Sequence, residues 1–205
     1  MISAIRTLLL LLPLMATAAS GPLDPGARER EEVEQLAPGR LLVAMPQLRD
    51  PNFQETVILL VDYGRRGAMG VVLNRPSTLT LNDALGGHEL PRGQKLFFGG
   101  PVQSHRRLVL AASAQPLKNS LPLLPGLYLL HDADEVARWL QAPAAGIRFR
   151  VFSGYAGWGP QQLEHEIYFG DWRVLPASLP LVLDSLPEEL WLRLIRYDNP
   201  RMALR

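Results

Sequence analysis

One short stretch of the chain carries more special residue types than a simple connection needs. Residues 154–167 hold three glycines, two large aromatic side chains, two glutamines and two glutamates. Glycines permit tight turns, and polar side chains at the ends of regular elements are typical of binding and catalytic positions. The stretch predicts a strand that turns into a helix. Its candidate ligand-binding side chains are Tyr155, Trp158, Gln162, Glu164 and Glu166.

A second stretch, residues 67–76, joins a glycine-rich turn to an apolar strand that ends in Asn74, Arg75 and a proline. We expect the Arg75 guanidinium to be held in place there. Asn74 beside it can fix its orientation or bind the same carboxylate or phosphate. Two interpretations of Arg75 stay open: it binds a ligand, or it forms a buried salt bridge with Glu164 or Glu166 that joins the two stretches.

Glu164 and Glu166 could act together as acid and base only if both carboxyl groups reached the same substrate. In the predicted helix, Leu163 and Ile167 form the apolar stripe. At about 100° per residue the two glutamates lie on opposite sides of that stripe, so they cannot form a pair. We favour a structural role, in which one of them accepts hydrogen bonds from backbone amides of the preceding turn.

The aromatic side chains of the first stretch also have two interpretations. Tyr155 and Trp158 could stack against a planar ligand, since they lie beside flexible glycines. They could instead close the end of the sheet, which is the more common role of a tryptophan and the one we favour.

The familiar catalytic and metal-binding motifs are incomplete. His165 begins a zinc-protease pattern, but Phe169 stands where the second histidine is needed. Ser153 lacks the nucleophile elbow, because Val151 occupies the position of its first glycine. The chain has no cysteine, which excludes a thiol nucleophile. The sequence therefore predicts no metal, no cofactor and no standard catalytic machinery.

The N-terminus has the pattern of a secretory signal peptide. Arg6 precedes a leucine-rich run over residues 7–15, and Ala16 and Ala18 give the small-x-small pattern that signal peptidase accepts. We predict cleavage after Ala18 and export, with the periplasm as the destination and no stable membrane span after cleavage. The alternatives are an uncleaved anchor and a cytoplasmic protein.

The charge balance bears on possible partners. The chain has 21 lysines and arginines against 20 aspartates and glutamates. A near-neutral protein lacks the clustered positive charge that binds phosphate backbones, so we expect no nucleic acid partner. The arginine pairs at residues 65–66 and 106–107 are interpreted as solvated turn charges.

Length and pattern predict one folded domain. We assign residues 1–18 to the signal peptide, 19–38 to a flexible linker with at most one helical turn, 39–197 to the domain and 198–205 to a tail. Apolar runs predict strands at 41–45, 56–61, 68–73, 95–98, 107–111, 126–130, 147–153, 172–175 and 181–183, of which 147–153 is half-exposed. Helices are predicted at 80–85, after a cap at Asp132, at 160–169 and at 187–195. Strands 56–61 and 68–73 should form an antiparallel hairpin, and the class is α+β or mixed α/β with a mixed sheet.

The two stretches also resemble the YqgE/AlgH family of bacterial proteins. Matching blocks follow in order from about residue 39 to residue 195, and include residues 42–46, 50–53, 56–60, 67–76, 99–102, 154–158, 162–167 and Trp172. The resemblance implies a single compact domain with a branched sheet and flanking helices. It implies no agreed activity, although members carry the label of putative transcriptional regulator.

The chain departs from this family in several places. Tyr63 stands where many members have a histidine, Glu55 where an arginine is usual, and Gln161 where a glycine is frequent. The first difference argues against a catalytic histidine. The signal peptide is a further departure, because members generally look cytosolic, and an exported copy could not act on the chromosome.

The sequence thus leads to two hypotheses. We favour a non-catalytic binding or regulatory protein, in which Asn74, Arg75 and residues 155–166 form one recognition site for an acidic small molecule or a protein partner. The alternative is a hydrolase-like enzyme that uses Glu164 or Glu166 as a general base.

Overall fold

A computed structural model describes residues 26–80, 95–141 and 147–197. These residues form ten strands, four α-helices and one π-helix. The strands are β1 (Arg40–Ala44), β2 (Val57–Gly64), β3 (Gly67–Val72), β4 (Pro76–Thr80), β5 (Lys95–Phe98), β6 (Val102–Ala112), β7 (Leu121–Leu124), β8 (Leu127–Leu130), β9 (Phe149–Trp158) and β10 (Trp172–Pro176). The helices are α1 (Ala27–Glu34), α2 (Ala133–Gln141), α3 (Gln162–Tyr168) and α4 (Pro187–Tyr197), and the π-helix is Pro180–Asp184.

The strands form one mixed, branched sheet in the order β10-β1-β2-β3-β9-β6-β8-β7. The branch is at β9, which pairs antiparallel with β3 and β6 and parallel with β5, while β4 extends the branch beyond β5. The sheet curls into a half-barrel. The predicted fold class is confirmed, and β2 and β3 form the predicted antiparallel hairpin.

Three apolar cores hold the sheet to its helices. The central core fills one face and includes α4 and the π-helix. The α1–α3 core and the α2 core lie under the helices for which they are named. Representative members are Leu41, Leu59, Phe152 and Leu190 in the central core, Leu42, Ile58, Leu163, Ile167 and Trp172 in the α1–α3 core, and Val109, Val136, Leu140 and Val151 in the α2 core.

Gly154 interrupts the side-chain alternation of β9. Its φ is +70°, and a Cβ atom there would lie 2.4 Å from the Gly100 carbonyl oxygen, so only glycine fits. Phe152 and Tyr155 both contact the central core, although they are three residues apart. Trp158 consequently faces the α1–α3 core.

Helix α1 lies within the predicted flexible linker, so the linker prediction is wrong for residues 27–34. Glu32 is buried; its Oε1 forms an ion pair with Arg173 Nε at 2.6 Å and accepts a hydrogen bond from Arg28 Nε at 3.4 Å. Leu36, just after the helix, is buried in the α1–α3 core. One charge of the run that indicates a linker, the Glu32 carboxylate, is thus buried beside an arginine from β10.

The strand predicted at 147–153 is the first part of β9, but Arg150 shows that it is not half-exposed as predicted. Arg150 is only 7% exposed, and it donates to the carbonyl oxygens of Leu73 at 3.2 Å and Ser185 at 2.7 Å. Its guanidinium carbon lies 4.8 Å from the centre of the Phe97 ring. Burial lowers the pKa of this arginine, and its partners replace the lost water.

Other predicted elements differ more locally. The run at 181–183 belongs to the π-helix, because a short apolar run does not distinguish strand from helix. Strand β7 was missed because it contains Pro122, which is tolerated at its edge position. Of the helix predicted at 80–85, Thr80 ends β4, and the rest lies outside the described residues, as do the signal peptide and the tail. No helix in the described ranges is long and apolar enough to cross a membrane.

Candidate functional site

Glu166 is the most heavily hydrogen-bonded carboxylate of the first stretch. Its Oε2 accepts the indole N–H of Trp158 at 2.8 Å and that of Trp172 at 2.7 Å. Its Oε1 accepts a side-chain N–H from Gln162, one turn earlier in α3, at 2.9 Å. Burial, and then the charge of Glu166, raise the pKa of the neighbouring Asp171. Both oxygens of Glu166 are therefore engaged in holding the structure together.

The two tryptophans and Phe53 form an aromatic cluster above Glu166. Phe53 stacks on Trp158 with ring centres 6.3 Å apart, and it meets Trp172 edge-on at 6.0 Å. The two indoles meet edge-on at 6.0 Å. Trp158 and Trp172 are only 6% and 1% exposed, so Trp158 closes the sheet end as we favoured. Tyr155 contacts the central core on the opposite face.

A glutamine binds the backbone before α3, whose N-cap residue Gln161 makes no side-chain capping hydrogen bond. Gln162 Oε1 accepts the Gly159 N–H at 3.0 Å, so the prediction that Glu164 or Glu166 caps the turn is wrong. The residues predicted to form this turn have an extended backbone instead, because β9 continues through Trp158. Gln162 is the first residue of α3, so it lies nearest the Gly159 N–H, whereas the glutamates lie further along the helix.

Glu164 lies on the other side of α3, as the helical spacing predicts. Leu163 and Ile167 between the two glutamates are fully buried. Glu164 Oε1 accepts the Tyr63 hydroxyl at 2.7 Å. Burial and this hydrogen bond raise the pKa of Tyr63 to about 12. Tyr63 thus contacts one of the candidate carboxylates.

Asn74 and Arg75 bind the protein's own backbone. Arg75 Nη1 donates to the carbonyl oxygen of Asn52 at 2.6 Å, and Nη2 donates to those of Gln54 at 3.0 Å and Pro51 at 3.3 Å. Burial lowers the pKa of Arg75, an effect that nearby Asp50 opposes. The interpretation of Arg75 as a salt-bridge partner of Glu164 or Glu166 is wrong, because the guanidinium and both carboxylates have other partners.

Asn74 binds the same segment, residues 50–55, which we call loop 50–55. Together, Asn74 and Arg75 clamp this loop. Its Oδ1 accepts the Val57 N–H at 2.9 Å, and its Nδ2 donates to the Glu55 carbonyl at 2.8 Å. Loop 50–55 carries Phe53, whose ring packs on the two tryptophans. The two stretches are therefore linked indirectly, through a loop and an aromatic ring.

The seven predicted site residues do not form one site. Trp158, Gln162 and Glu166 lie together, Asn74 and Arg75 clamp a loop, and Tyr155 and Glu164 lie elsewhere. What the prediction missed is a groove of about 860 Å³ between α1 and α3, the α1–α3 groove. Its lining includes Tyr63, Glu164, Tyr168 and Phe169, together with Glu29, Arg30, Val33, Glu34, Gln161 and His165. The signal was the aromatic pair at 168–169, which follows the apolar stripe of α3.

The described residues contain no group of three or more histidines, aspartates or glutamates that could hold a metal ion. The lining of the α1–α3 groove suits contacts with apolar and cationic groups, because it contains both aromatic rings and carboxylates.

Replacing Glu166 with leucine removes the shared acceptor of two buried tryptophans. Each unsatisfied donor costs about 1–3 kcal/mol, so we expect the free energy of unfolding to fall by about 2–6 kcal/mol. The matched control is Glu164→Leu on the same helix, where loss of one half-exposed hydrogen bond costs about 1 kcal/mol. Urea denaturation measures both, and equal losses would contradict the structural role of Glu166.

Replacing Arg75 with alanine frees three carbonyl oxygens of loop 50–55. Hydrogen bonds from a charged group contribute about 1.5–3 kcal/mol, so we expect the free energy of unfolding to fall by about this amount. Arg75→Lys should recover only part of it, because an ammonium lacks the forked geometry. The control is Arg66→Ala in the exposed turn after β2. Indistinguishable denaturation midpoints for Arg75→Ala and Arg66→Ala would show that the clamp contributes nothing.

Known proteins are similar to this chain in sequence and in fold. A family model described as AlgH-like matches residues 41–202. A UPF0301 protein of Myxococcus xanthus is 41% identical over 164 residues, which cover 78% of this chain and 88% of the relative. A UPF0301 protein of Streptomyces coelicolor is 39% identical over 180 residues, covering 84% and 92%.

Two solved structures extend the comparison. The solution structure of the AlgH protein from Pseudomonas aeruginosa is 33% identical, has a TM-score of 0.64, and matches over 83% of this chain and 97% of that chain. A crystal structure of a Corynebacterium diphtheriae protein is 26% identical with a TM-score of 0.65, over 80% and 88%. Sequence and fold agree with the resemblance seen in the motifs, and the chain belongs to the AlgH-like family.

Proposed function

We propose that the protein is a non-catalytic binding protein that docks a protein partner in the α1–α3 groove. The observation that carries this proposal is the exposure of two adjacent aromatic side chains at the groove. Tyr168 is 62% exposed and Phe169 is 73% exposed, and their rings meet edge-on at 6.0 Å. Exposed aromatic side chains beside a groove are typical anchors of protein interfaces.

The charges of the groove indicate the chemistry of the partner. Glu29, Glu34 and Glu164 line it, whereas Arg30 is its one arginine among the described lining residues. Val33 and Tyr63 add apolar surface between these charges. A segment that presents apolar side chains flanked by lysine or arginine complements this surface.

The contacts of the glutamates favour binding over hydrolysis. Glu166 has three donors on its two oxygens, which leaves it poorly placed to take a proton from water. The alternative of a hydrolase-like enzyme would depend on Glu164, which lies in the groove and bonds Tyr63. An acidic ligand at Arg75 loses support, because that guanidinium is used by loop 50–55.

Export to the periplasm is part of this proposal. It rests on the charged, leucine-rich and small-residue pattern of residues 1–18. An exported protein would meet its partner outside the cytoplasm, so we do not propose a role in transcription. A mature chain that begins at Ala19, identified by mass spectrometry of the cell envelope fraction, is the expected result, and an intact Met1 in the cytosol would contradict export.

Fluorescence anisotropy with two labelled peptides tests the docking site. One peptide alternates leucine and phenylalanine with lysine, and the other replaces each lysine with glutamate. We expect the lysine peptide to bind, and Phe169→Ser to weaken it about tenfold or more through loss of an aromatic anchor. Glu34→Lys should weaken it by charge repulsion.

The matched control is Leu192→Ser, which removes an apolar side chain that is 45% exposed on α4. It should leave affinity for the lysine peptide unchanged. Equal affinity of wild type and Phe169→Ser, or tighter binding of the glutamate peptide, would refute the docking site. Turnover of ester or glycoside substrates that is lost in Glu164→Gln would instead support the hydrolase alternative.

A further inference from the structure

A wide bulge in β6 creates a second candidate site, far in sequence from α1 and α3. Val102 pairs with Tyr155 and Arg107 pairs with Ser153, so residues 103–106 all lie opposite Gly154. Gln103 adopts a φ of 46°, in the left-handed region. A Cβ atom on Gly154 would lie 3.2 Å from the Ser104 Cα atom. Gly154 therefore allows the bulge to pass close to β9.

Arg107 holds the bulge in shape. Its Nη1 donates to the carbonyl oxygens of Ser104 and His105 and to the Ser153 hydroxyl oxygen, each at 3.0 Å. The Ser153 hydroxyl in turn donates to the Ser104 carbonyl. The Nε of Arg107 is buried and has no hydrogen-bond partner among the described residues, and burial lowers the pKa of this arginine. Arg107 is thus a positioned cation, contrary to the interpretation of this pair as solvated turn charges.

Between the bulge and α2 lies a cavity of about 560 Å³, the β6–α2 cavity. Arg106 ties its two walls together, because its Nη2 donates to the His131 carbonyl at 3.2 Å. His105 lines the bulge side, and Asp132 lines the helix side. Asp132 already accepts the Glu135 N–H at 3.0 Å as the cap of α2.

The lining separates a cationic end from an apolar wall. Arg106 and Arg107 are opposed by the single carboxylate of Asp132, so the described lining has a net positive charge. Val136 and Leu140 from α2 supply the apolar surface. Small-molecule sites typically have volumes of about 300–1,000 Å³ and combine apolar walls with a few polar groups. Guanidinium groups favour carboxylates and phosphates.

We propose that the β6–α2 cavity binds a small organic anion, with its carboxylate or phosphate head at Arg106 and Arg107 and its apolar body against Val136 and Leu140. This site is separate from the α1–α3 groove, and the proposal does not depend on the docking of a protein partner. Two arginines cannot neutralise a nucleic acid backbone, which makes a small anion the fitting ligand class.

Nuclear magnetic resonance titration of the ¹⁵N-labelled full chain tests this proposal. The probes are hexyl phosphate, hexanoate, inorganic phosphate and hexyltrimethylammonium. We expect hexyl phosphate or hexanoate to shift the backbone amides of residues 103–107 and 131–140. Inorganic phosphate should bind about tenfold more weakly or worse, because it lacks the apolar body. The cationic probe should cause no shifts there.

Arg106→Gln should reduce the affinity for the best anion about tenfold or more through loss of a charge-assisted contact. The matched control, Arg65→Gln in the exposed turn after β2, should leave the affinity unchanged. If Arg106→Gln does not fold, Arg106→Lys replaces it and should also lower the affinity for the best anion, because an ammonium lacks the forked geometry of a guanidinium.

Three outcomes would overturn the proposal. They are the absence of shifts with every anion, equal binding of the cationic probe, and equal effects of Arg106→Gln and Arg65→Gln. Equal affinities for inorganic phosphate and hexyl phosphate would show that the apolar body of the ligand does not contribute to binding, which would contradict an organic anion as the ligand. None of these readouts uses the peptides of the docking experiment, so the two proposals can fail separately.

Discussion

The shared hydrogen bonds of Glu166 are the interaction on which the arrangement of this domain depends. One carboxylate oxygen accepts N–H groups from the last residue of β9 and the first residue of β10, which lie on opposite sides of α3 in the sequence. Because β10 is the edge strand beside β1 and β9 lies four strands away in the sheet, this contact helps to fix α3 against this part of the sheet. A charged acceptor strengthens both hydrogen bonds and makes their loss costly.

The rest of the first stretch follows from that anchor. Once Glu166 faces the tryptophans, helical geometry directs Glu164 to the opposite flank and leaves Tyr168 and Phe169 exposed beside α1. Arg75 supports the same cluster indirectly. By holding loop 50–55, it positions Phe53 over the same indoles. The candidate residues of both stretches therefore hold loop 50–55, α3 and the aromatic cluster in place beside that surface. We place recognition on that surface and in the β6–α2 cavity.

Sequence reasoning succeeded where the determining interactions are local. Continuous apolar runs separated by a glycine-flanked turn predicted the β2–β3 hairpin, and helical spacing predicted that Glu164 and Glu166 diverge. It failed where the structure of a segment depends on a residue that is distant in the sequence. The sequence of helix α1 is typical of a linker, and its contact with the sheet depends on Arg173 of β10, which pairs with Glu32. The partners of Arg75 are backbone carbonyls, which no side-chain pattern records. The bulge opposite Gly154 is equally invisible, because it arises from the register between two strands.

Hydrogen–deuterium exchange of the indole N–H groups tests the central role of Glu166 most directly. In the native protein, the indole protons of Trp158 and Trp172 should exchange slowly, and Glu166→Ala should accelerate both. Trp191, whose indole donates to the Ala44 carbonyl at 2.7 Å, provides the internal control and should keep its rate. Unchanged exchange of Trp158 and Trp172 in the variant would contradict the account.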